Sequence, residues 1–110
     1  MRKIYLFLML ILPVMAMAQT RVTIFGDSYS TFEGSIPSTH EPWYAPEGST
    51  WEKKNNDVKK VEQTWWYQVI ERMGWQLETN NSWSGSTVGY FGSQNENYQP
   101  RSFNTRVANL

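Results

Sequence analysis

The residues best placed for chemistry form a short junction, Gly26-Asp27-Ser28, directly after an apolar run that ends at Phe25. A serine just past a strand lies at the strand's C-terminal edge, where sites form in open α/β sheets. A nucleophilic serine needs a tight turn, its own N–H directed at the developing oxyanion, and a nearby base. Gly26 tolerates a tight backbone, and Asp27 can bind local N–H groups. The junction predicts Ser28 as a nucleophile, with an ordinary strand-to-loop turn as the alternative.

A second segment, Asn81-Ser82-Trp83-Ser84-Gly85, could supply a hydrogen-bond donor for the same reaction. Glycine lets a carbonyl oxygen approach its N–H closely, so Gly85 is a candidate second oxyanion donor. A Gly/Ser loop without a catalytic role is the alternative. Trp83 and Asn81 are candidate substrate contacts beside it.

In this order around a predicted helix, the two segments resemble the GDSL family, also called SGNH hydrolases. Members carry Gly-Asp-Ser after the first strand and Asn-x-x-x-Gly after the second. The resemblance implies a secreted bacterial esterase or acylhydrolase with a three-layer α/β/α, flavodoxin-like fold around a parallel sheet. It implies that Ser28 forms an acyl-enzyme, that the N–H groups of Ser28 and Gly85 form the oxyanion hole, and that no cofactor is used. The implied substrate is a small-molecule ester, with acetylated carbohydrate preferred.

Two further blocks of the family pattern do not occur in residues 1–110. One is Gly-x-Asn-Asp, whose asparagine completes the oxyanion hole, and the other is Asp-x-x-His, which supplies the base and its orienting carboxylate. We therefore expect residues 19–110 to form the N-terminal portion of a family domain, an incomplete α/β fold that is inactive by itself.

His40 is the only histidine of the chain and lies in a loop 12 residues after Ser28. It could act as the base with Glu41 orienting its ring. Because catalytic geometry favours rigid elements, we expect instead a surface or substrate-contacting loop residue. One histidine and no cysteine leave no zinc ligand set, so no metal is predicted.

Residues 1–18 have the pattern of a secretory signal peptide. Arg2 and Lys3 precede a short apolar run, and small residues precede a cleavage site after Ala18. A transmembrane anchor is the alternative, but a span needs about 20 apolar residues and Pro13 interrupts this run. We expect a secreted or periplasmic protein of 92 residues with no membrane association after cleavage.

The elements that must position these residues follow from hydrophobic periodicity. Residues 21–25 and 76–80 are predicted strands, the first of them buried, and residues 64–73 form an amphipathic helix. Thr64 is its predicted N-cap and Gly74 its stop. The order of elements predicts an α/β layer fold with parallel strands.

The remaining segments are predicted to be loops, apart from a last helix over residues 102–110 with Phe103, Val107 and Leu110 on one face. Residues 34–57 and 82–97 lack periodicity. Three tryptophans are expected in the core: Trp65, Trp66 and Trp75. Aromatic residues of the first loop could stack on sugar rings: Trp43, Tyr44 and Trp51. An exported carbohydrate-binding module without catalysis is therefore the alternative function.

Composition excludes several other classes. The chain of 110 residues has no cysteine, which excludes a disulfide framework and a thiol nucleophile. Ten basic residues balance ten acidic ones, so there is no electrostatic signature of a nucleic-acid partner. The oligomeric state is left open.

Overall fold

The computed structural model describes residues 18–89 and 96–110. Over these ranges, strand β1 (Arg21–Ile24) is followed by helix α1 (Trp65–Met73), strand β2 (Gln76–Asn80) and the short helix α2 (Phe103–Arg106). Short 3₁₀ turns lie at Ser28–Ser30, Val61–Gln63, Glu96–Arg101 and Val107–Asn109. The predicted signal peptide lies outside the described residues, except for Ala18.

The sheet is formed by β1 and β2, which pair in parallel as predicted. Arg21 lies opposite Gln76 and Ile24 lies opposite Asn80, with one irregularity of register between Val22 and Thr23. Parallel strands end at the same edge, so the chain segments that follow Ile24 and Asn80 emerge side by side. The described residues thus form a partial α/β fold, and this arrangement brings the two candidate segments together.

Helix α1 covers one face of the sheet. Trp66 and Ile70, one turn apart on the helix, pack against Ile24 and Phe32 to form the core. Gly74 ends the helix in the left-handed conformation, with φ of +64°, as predicted. Thr64 is the N-cap residue, as predicted, and its hydroxyl donates to the Val61 carbonyl rather than accepting from a helix N–H.

The prediction of three core tryptophans is confirmed for Trp66, which is 2% exposed, and is wrong for Trp65, which is 51% exposed. Consecutive helical residues point about 100° apart, so both indoles cannot face one sheet. Trp65 instead donates its Nε1–H to Ser30 Oγ at 3.2 Å. Trp75 is half-buried at the margin of the core.

Strand β1 is one residue shorter and less buried than predicted. It ends at Ile24, and its residues Arg21 and Thr23 are exposed. Among the described residues β1 has a single partner strand and one covered face, whereas a fully buried strand needs cover on both faces.

The C-terminal region also differs from the predicted helix over residues 102–110. Helix α2 is a single turn and continues as the 3₁₀ turn Val107–Asn109. The predicted apolar face is wrong, since Val107 and Leu110 are exposed and Arg106 is buried instead.

Of the two predicted loops, the first is irregular throughout, and the second is only partly described. Residues 34–57 contain no strand or helix, as predicted. Of the second loop, residues 82–89 are irregular, residues 90–95 lie outside the described range, and residues 96 and 97 begin a 3₁₀ turn. Within the described ranges, no helix has the length and apolar character needed to cross a bilayer.

Candidate active site

Ser28 begins a 3₁₀ turn at the C-terminal edge of the sheet. Asp27 Oδ1 accepts a hydrogen bond from the Tyr29 N–H at 3.1 Å, which is the local supporting role expected for this residue. The Thr31 hydroxyl donates to the Ser28 carbonyl at 2.7 Å, and Thr31 is fully buried. Both side chains hold the turn, so the Ser28 backbone is well defined.

Gly26 is required by a close approach of the backbone. A Cβ at this position would lie 2.4 Å from Ser30 Oγ and 2.6 Å from Ser30 Cβ, far inside van der Waals contact. Ser30 is buried and belongs to the same turn as Ser28. The turn can therefore fold back on the strand end only if residue 26 has no side chain.

The structure brings Ser28 and Gly85 together across 57 positions of sequence. The Gly85 N–H points at Ser28 Oγ, with 3.4 Å between nitrogen and oxygen. Gly85 has a φ of +78°, a conformation that favours glycine. Within the described residues no acceptor binds the Ser28 N–H. The two N–H groups are therefore candidate donors to the oxygen of an acyl group bonded to Ser28 Oγ.

The segment after β2 is held against the Ser28 turn by backbone bonds that continue the strand pairing. The Asn81 N–H donates to the Ile24 carbonyl at 2.8 Å, and the Trp83 N–H donates to the Gly26 carbonyl at 3.2 Å. Buried Asn80 adds a side-chain link, since its Nδ2 donates to the Ser30 carbonyl at 2.8 Å. Sequence reasoning missed Asn80, which was assigned only to the end of a strand.

His40 lies beside the Gly85 segment rather than on Ser28. Its Nδ1 is 3.0 Å from the Ser82 carbonyl oxygen, so this nitrogen carries a proton and donates it. Its ring stacks on Trp83, with 4.2 Å between centroids and 14° between planes. Burial lowers the pKa of His40, the bond to Ser82 opposes that change, and the nearby positive charge of Arg106 adds to it.

No described side chain is placed as a base on Ser28. The hydrogen bond recorded for Ser28 Oγ among the described residues is the one from Gly85. His40 is engaged by Ser82, and the Glu41 carboxylate pairs with Arg101 at 2.9 Å instead of orienting the imidazole. The structure therefore does not assemble Ser28, His40 and Glu41 into a triad.

Trp83 and Asn81, the candidate substrate contacts, are both partly buried. Trp83 lies against the His40 ring, and the Arg101 guanidinium is 5.3 Å from the indole centroid. Asn81 Oδ1 accepts a hydrogen bond from Arg106 at 3.0 Å. Both side chains therefore also support the segment that carries Gly85.

Arg106 is a residue of this site that sequence reasoning missed. Its guanidinium is buried and donates to the Gly26 carbonyl and to Asn81. Arginine is mostly a surface residue, and no motif surrounds this one, so the sequence contains no signal for its burial.

A cavity of about 640 Å³ is lined by Tyr29, the residue after Ser28, while Ser28 itself is not among the lining residues. Aromatic side chains form much of its wall: the rings of Tyr29 and Tyr44 are 6.5 Å apart, and Lys53 Nζ lies 3.4 Å from the Trp43 ring centroid. The other lining residues are mainly polar: Lys54, Asn55, Asn56, Asp57 and Val58. The cavity combines flat apolar faces with hydrogen-bonding groups.

No cluster of three or more histidine and carboxylate side chains that could bind a metal ion occurs in the described part of the chain. The chemistry available at this site, as far as it is described, is that of a serine hydroxyl with two backbone N–H donors.

Comparisons with known proteins lead to one family of hydrolases. The sequence model of the GDSL-like lipase/acylhydrolase family matches residues 20–110. Two crystal structures are similar, each of a protein described as a GDSL-like lipase. The one from Bacteroides ovatus ATCC 8483 is 39% identical, with a TM-score of 0.71 over 86% of this chain and 44% of that one. The one from Bacteroides uniformis ATCC 8492 is 49% identical, with a TM-score of 0.67 over 84% of this chain and 43% of that one.

The chain thus spans less than half the length of either solved structure. No curated protein matches it significantly.

Proposed function

The chain belongs to the GDSL-like lipase/acylhydrolase family, and we propose that it supplies the nucleophile and two oxyanion donors of a serine ester hydrolase. The observation that carries this proposal is the Gly85 N–H directed at Ser28 Oγ at 3.4 Å. The family resemblance assigns these two residues to nucleophile and oxyanion hole, and the fold places them in contact.

The reaction we propose proceeds through an acyl-enzyme. Ser28 Oγ attacks the ester carbonyl carbon and loses its proton to a base, while the carbonyl π electrons move to the oxygen. The N–H groups of Ser28 and Gly85 bind this oxyanion, and one such donor contributes about 10²–10³ in rate. Collapse of the intermediate expels the alcohol, which takes up the proton, and water then hydrolyses the Ser28 ester.

We place the general base outside this chain. No Asp-x-x-His occurs in the sequence, and no described side chain is positioned to deprotonate Ser28. The solved relatives are more than twice as long as the part that matches. On this proposal, the 110-residue chain is inactive, and a longer natural protein hydrolyses esters.

Carbohydrate esters are the substrate class that we favour, with lipid and other acyl esters as the alternative. The support is the cavity lined by Tyr29, the residue after Ser28, where Trp43, Tyr44 and Tyr29 could stack on a sugar ring and neighbouring asparagines could bind hydroxyl groups. A carbohydrate-binding module without catalysis would use the same cavity.

Export is part of the same proposal and rests on the signal-peptide pattern of residues 1–18. Expression in a bacterial host should yield a periplasmic or secreted product that begins at Gln19, as read by N-terminal sequencing. A cell-associated product that retains Met1 would contradict it.

The function is tested by replacing Ser28 in the natural full-length protein. We expect Ser28→Ala to abolish hydrolysis of p-nitrophenyl acetate and labelling by a fluorophosphonate, because both need the Oγ. Ser38→Ala is the matched control, since Ser38 is an exposed loop serine. Undiminished activity in Ser28→Ala would overturn the proposal. Saccharide-dependent tryptophan fluorescence without any esterase activity would favour the binding module.

A further inference from the structure

Arg106 connects the two segments that carry Ser28 and Gly85. The side chain is 2% exposed. Its Nη2 donates to the Gly26 carbonyl at 3.2 Å and to Ser86 Oγ at 2.9 Å. Its Nη1 donates to Oδ1 of Asn81 at 3.0 Å and to the carbonyl of the same residue. Gly26 lies two residues before Ser28, while Asn81 and Ser86 flank Gly85.

The hydrogen-bond partners of this buried cation among the described residues are neutral oxygens. The fifth bond runs from Nε to the Arg101 carbonyl at 2.8 Å, and the described structure shows no carboxylate paired with Arg106. Burying a charge is costly unless its hydrogen bonds are satisfied, and such groups contribute little to net stability. A role in holding geometry accounts better for its position than a role in stability.

The geometry that needs holding is the distance between Ser28 and Gly85. Regular strand pairing ends at Ile24 and Asn80, five residues before Gly85. The Gly26 carbonyl accepts hydrogen bonds from both the Trp83 N–H and Arg106. Arg106 thus links the segment after β1 to the segment after β2 beyond the end of the sheet, close to Ser28 and Gly85 in sequence.

We propose that Arg106 is a positioning residue that keeps the Gly85 N–H aligned with Ser28 in the oxyanion hole. This inference rests on the proposed function. It assigns no contact between Arg106 and the substrate, since the guanidinium is buried and acts through the two segments that it joins.

The shape of the group matters as much as its charge. The guanidinium carbon lies 4.4 Å from the centroid of the Phe25 ring and 5.3 Å from that of Phe103. A planar fork can stack on these rings and reach acceptors on both segments at once, whereas the ammonium of lysine cannot. Arg106→Lys should therefore retain the charge and lose the alignment.

The test compares Arg106→Lys with wild type in the natural full-length protein. We expect kcat for p-nitrophenyl acetate to fall about tenfold to hundredfold, with KM changed less than about threefold, because a misaligned donor weakens transition-state binding. Fluorophosphonate labelling should slow in parallel, and the amide proton resonance of Gly85 should shift. Arg21→Lys is the control, since Arg21 is an exposed arginine paired with Glu78 on the sheet.

A folded Arg106→Lys variant with wild-type kcat would overturn the proposal, and so would a loss confined to thermal stability. If Arg106→Lys fails to fold, Ser86→Ala is measured instead, because it removes one acceptor of the guanidinium together with the bond from Ser86 Oγ to the Trp83 carbonyl. We expect kcat to fall a few-fold in Ser86→Ala, and an unchanged value would overturn the inference. Absence of activity in wild type and in Arg21→Lys would instead contradict the proposed function.

Discussion

Substitution of Gly26 by alanine probes the contact that sets the position of Ser28, the proposed nucleophile. The added Cβ would stand 2.6 Å from Ser30 Cβ, about 0.8 Å short of the 3.4 Å at which ordinary van der Waals contact begins. A rotamer change cannot relieve this contact, because a Cβ moves only with its backbone. The turn must therefore open by most of that distance.

The turn resists such a shift because Ser30 is anchored on two sides. Its Oγ accepts the Trp65 indole N–H, and its carbonyl accepts the Asn80 amide at 2.8 Å. Overpacking of this kind costs about 1–3 kcal/mol of folding free energy. Ser28 shares the turn, so its Oγ should move as well, and a displacement approaching 1 Å reduces catalysis by about 10²-fold.

The experiment measures urea unfolding and p-nitrophenyl acetate hydrolysis for Gly26→Ala in the natural full-length protein. Gly89→Ala is the matched control, because a Cβ there meets no described atom within 4 Å. Adding Ser30→Gly removes both clashing atoms and should restore part of the lost stability, whereas adding Ser30→Ala leaves the Cβ contact and should not. If Gly26→Ala behaves like Gly89→Ala in both assays, the steric reasoning is refuted.

Three further predictions concern neighbouring residues. Asp27→Ala should lower the free energy of unfolding by about 1 kcal/mol, because the Tyr29 N–H loses its acceptor, while Asp27→Asn keeps one; equal losses in urea melts would contradict this. Gly85→Ala should lower the free energy of unfolding by about 1–2 kcal/mol and slow fluorophosphonate labelling, because the φ of Gly85 is +78°. Gly85→Asn should lower it less, since asparagine tolerates this region better, and the reverse order of the two variants would contradict the reasoning. Because the pKa of His40 is lowered in the folded chain, the imidazole binds a proton more weakly there than in the unfolded chain, so protonation favours unfolding. The His40 contribution should be fully present above pH about 6.5 and decline as the pH falls below it, so His40→Gln should flatten the pH dependence of unfolding; an unchanged slope would count against it.

Much of the candidate site follows from local sequence patterns. β-Branched and aromatic residues before Gly26 predicted the end of β1 to within one residue, and the periodicity of α1 with Gly74 after it predicted the start of β2. Strand, helix and strand in this order form a parallel pair, whose C-terminal ends lie at one edge. The pairing of Gly85 with Ser28 came from the family resemblance, since the Gly85 segment by itself fits an ordinary Gly/Ser loop.

Errors arose where burial depends on which surfaces meet. Helical periodicity placed Trp65 and Trp66 together near one face, but the angle between adjacent side chains lets one enter the core and leaves the other exposed. The apolar positions after Ser102 predicted a packed helix face. In the structure Val107 and Leu110 are exposed, and Arg106 is buried instead.

Short-range chemistry in the sequence is enough to predict the Ser28 turn and the order of the elements, because turn residues and hydrophobic periods act over a few positions, whereas the assignment of Gly85 also needed the family resemblance. The tertiary structure alone reveals that Gly26 must lack a side chain because of Ser30, that His40 stacks on Trp83 instead of reaching Ser28, and that Arg106 joins the two segments. The His40 and Arg106 contacts link residues up to 80 positions apart. They depend on how the elements pack, which no local pattern encodes.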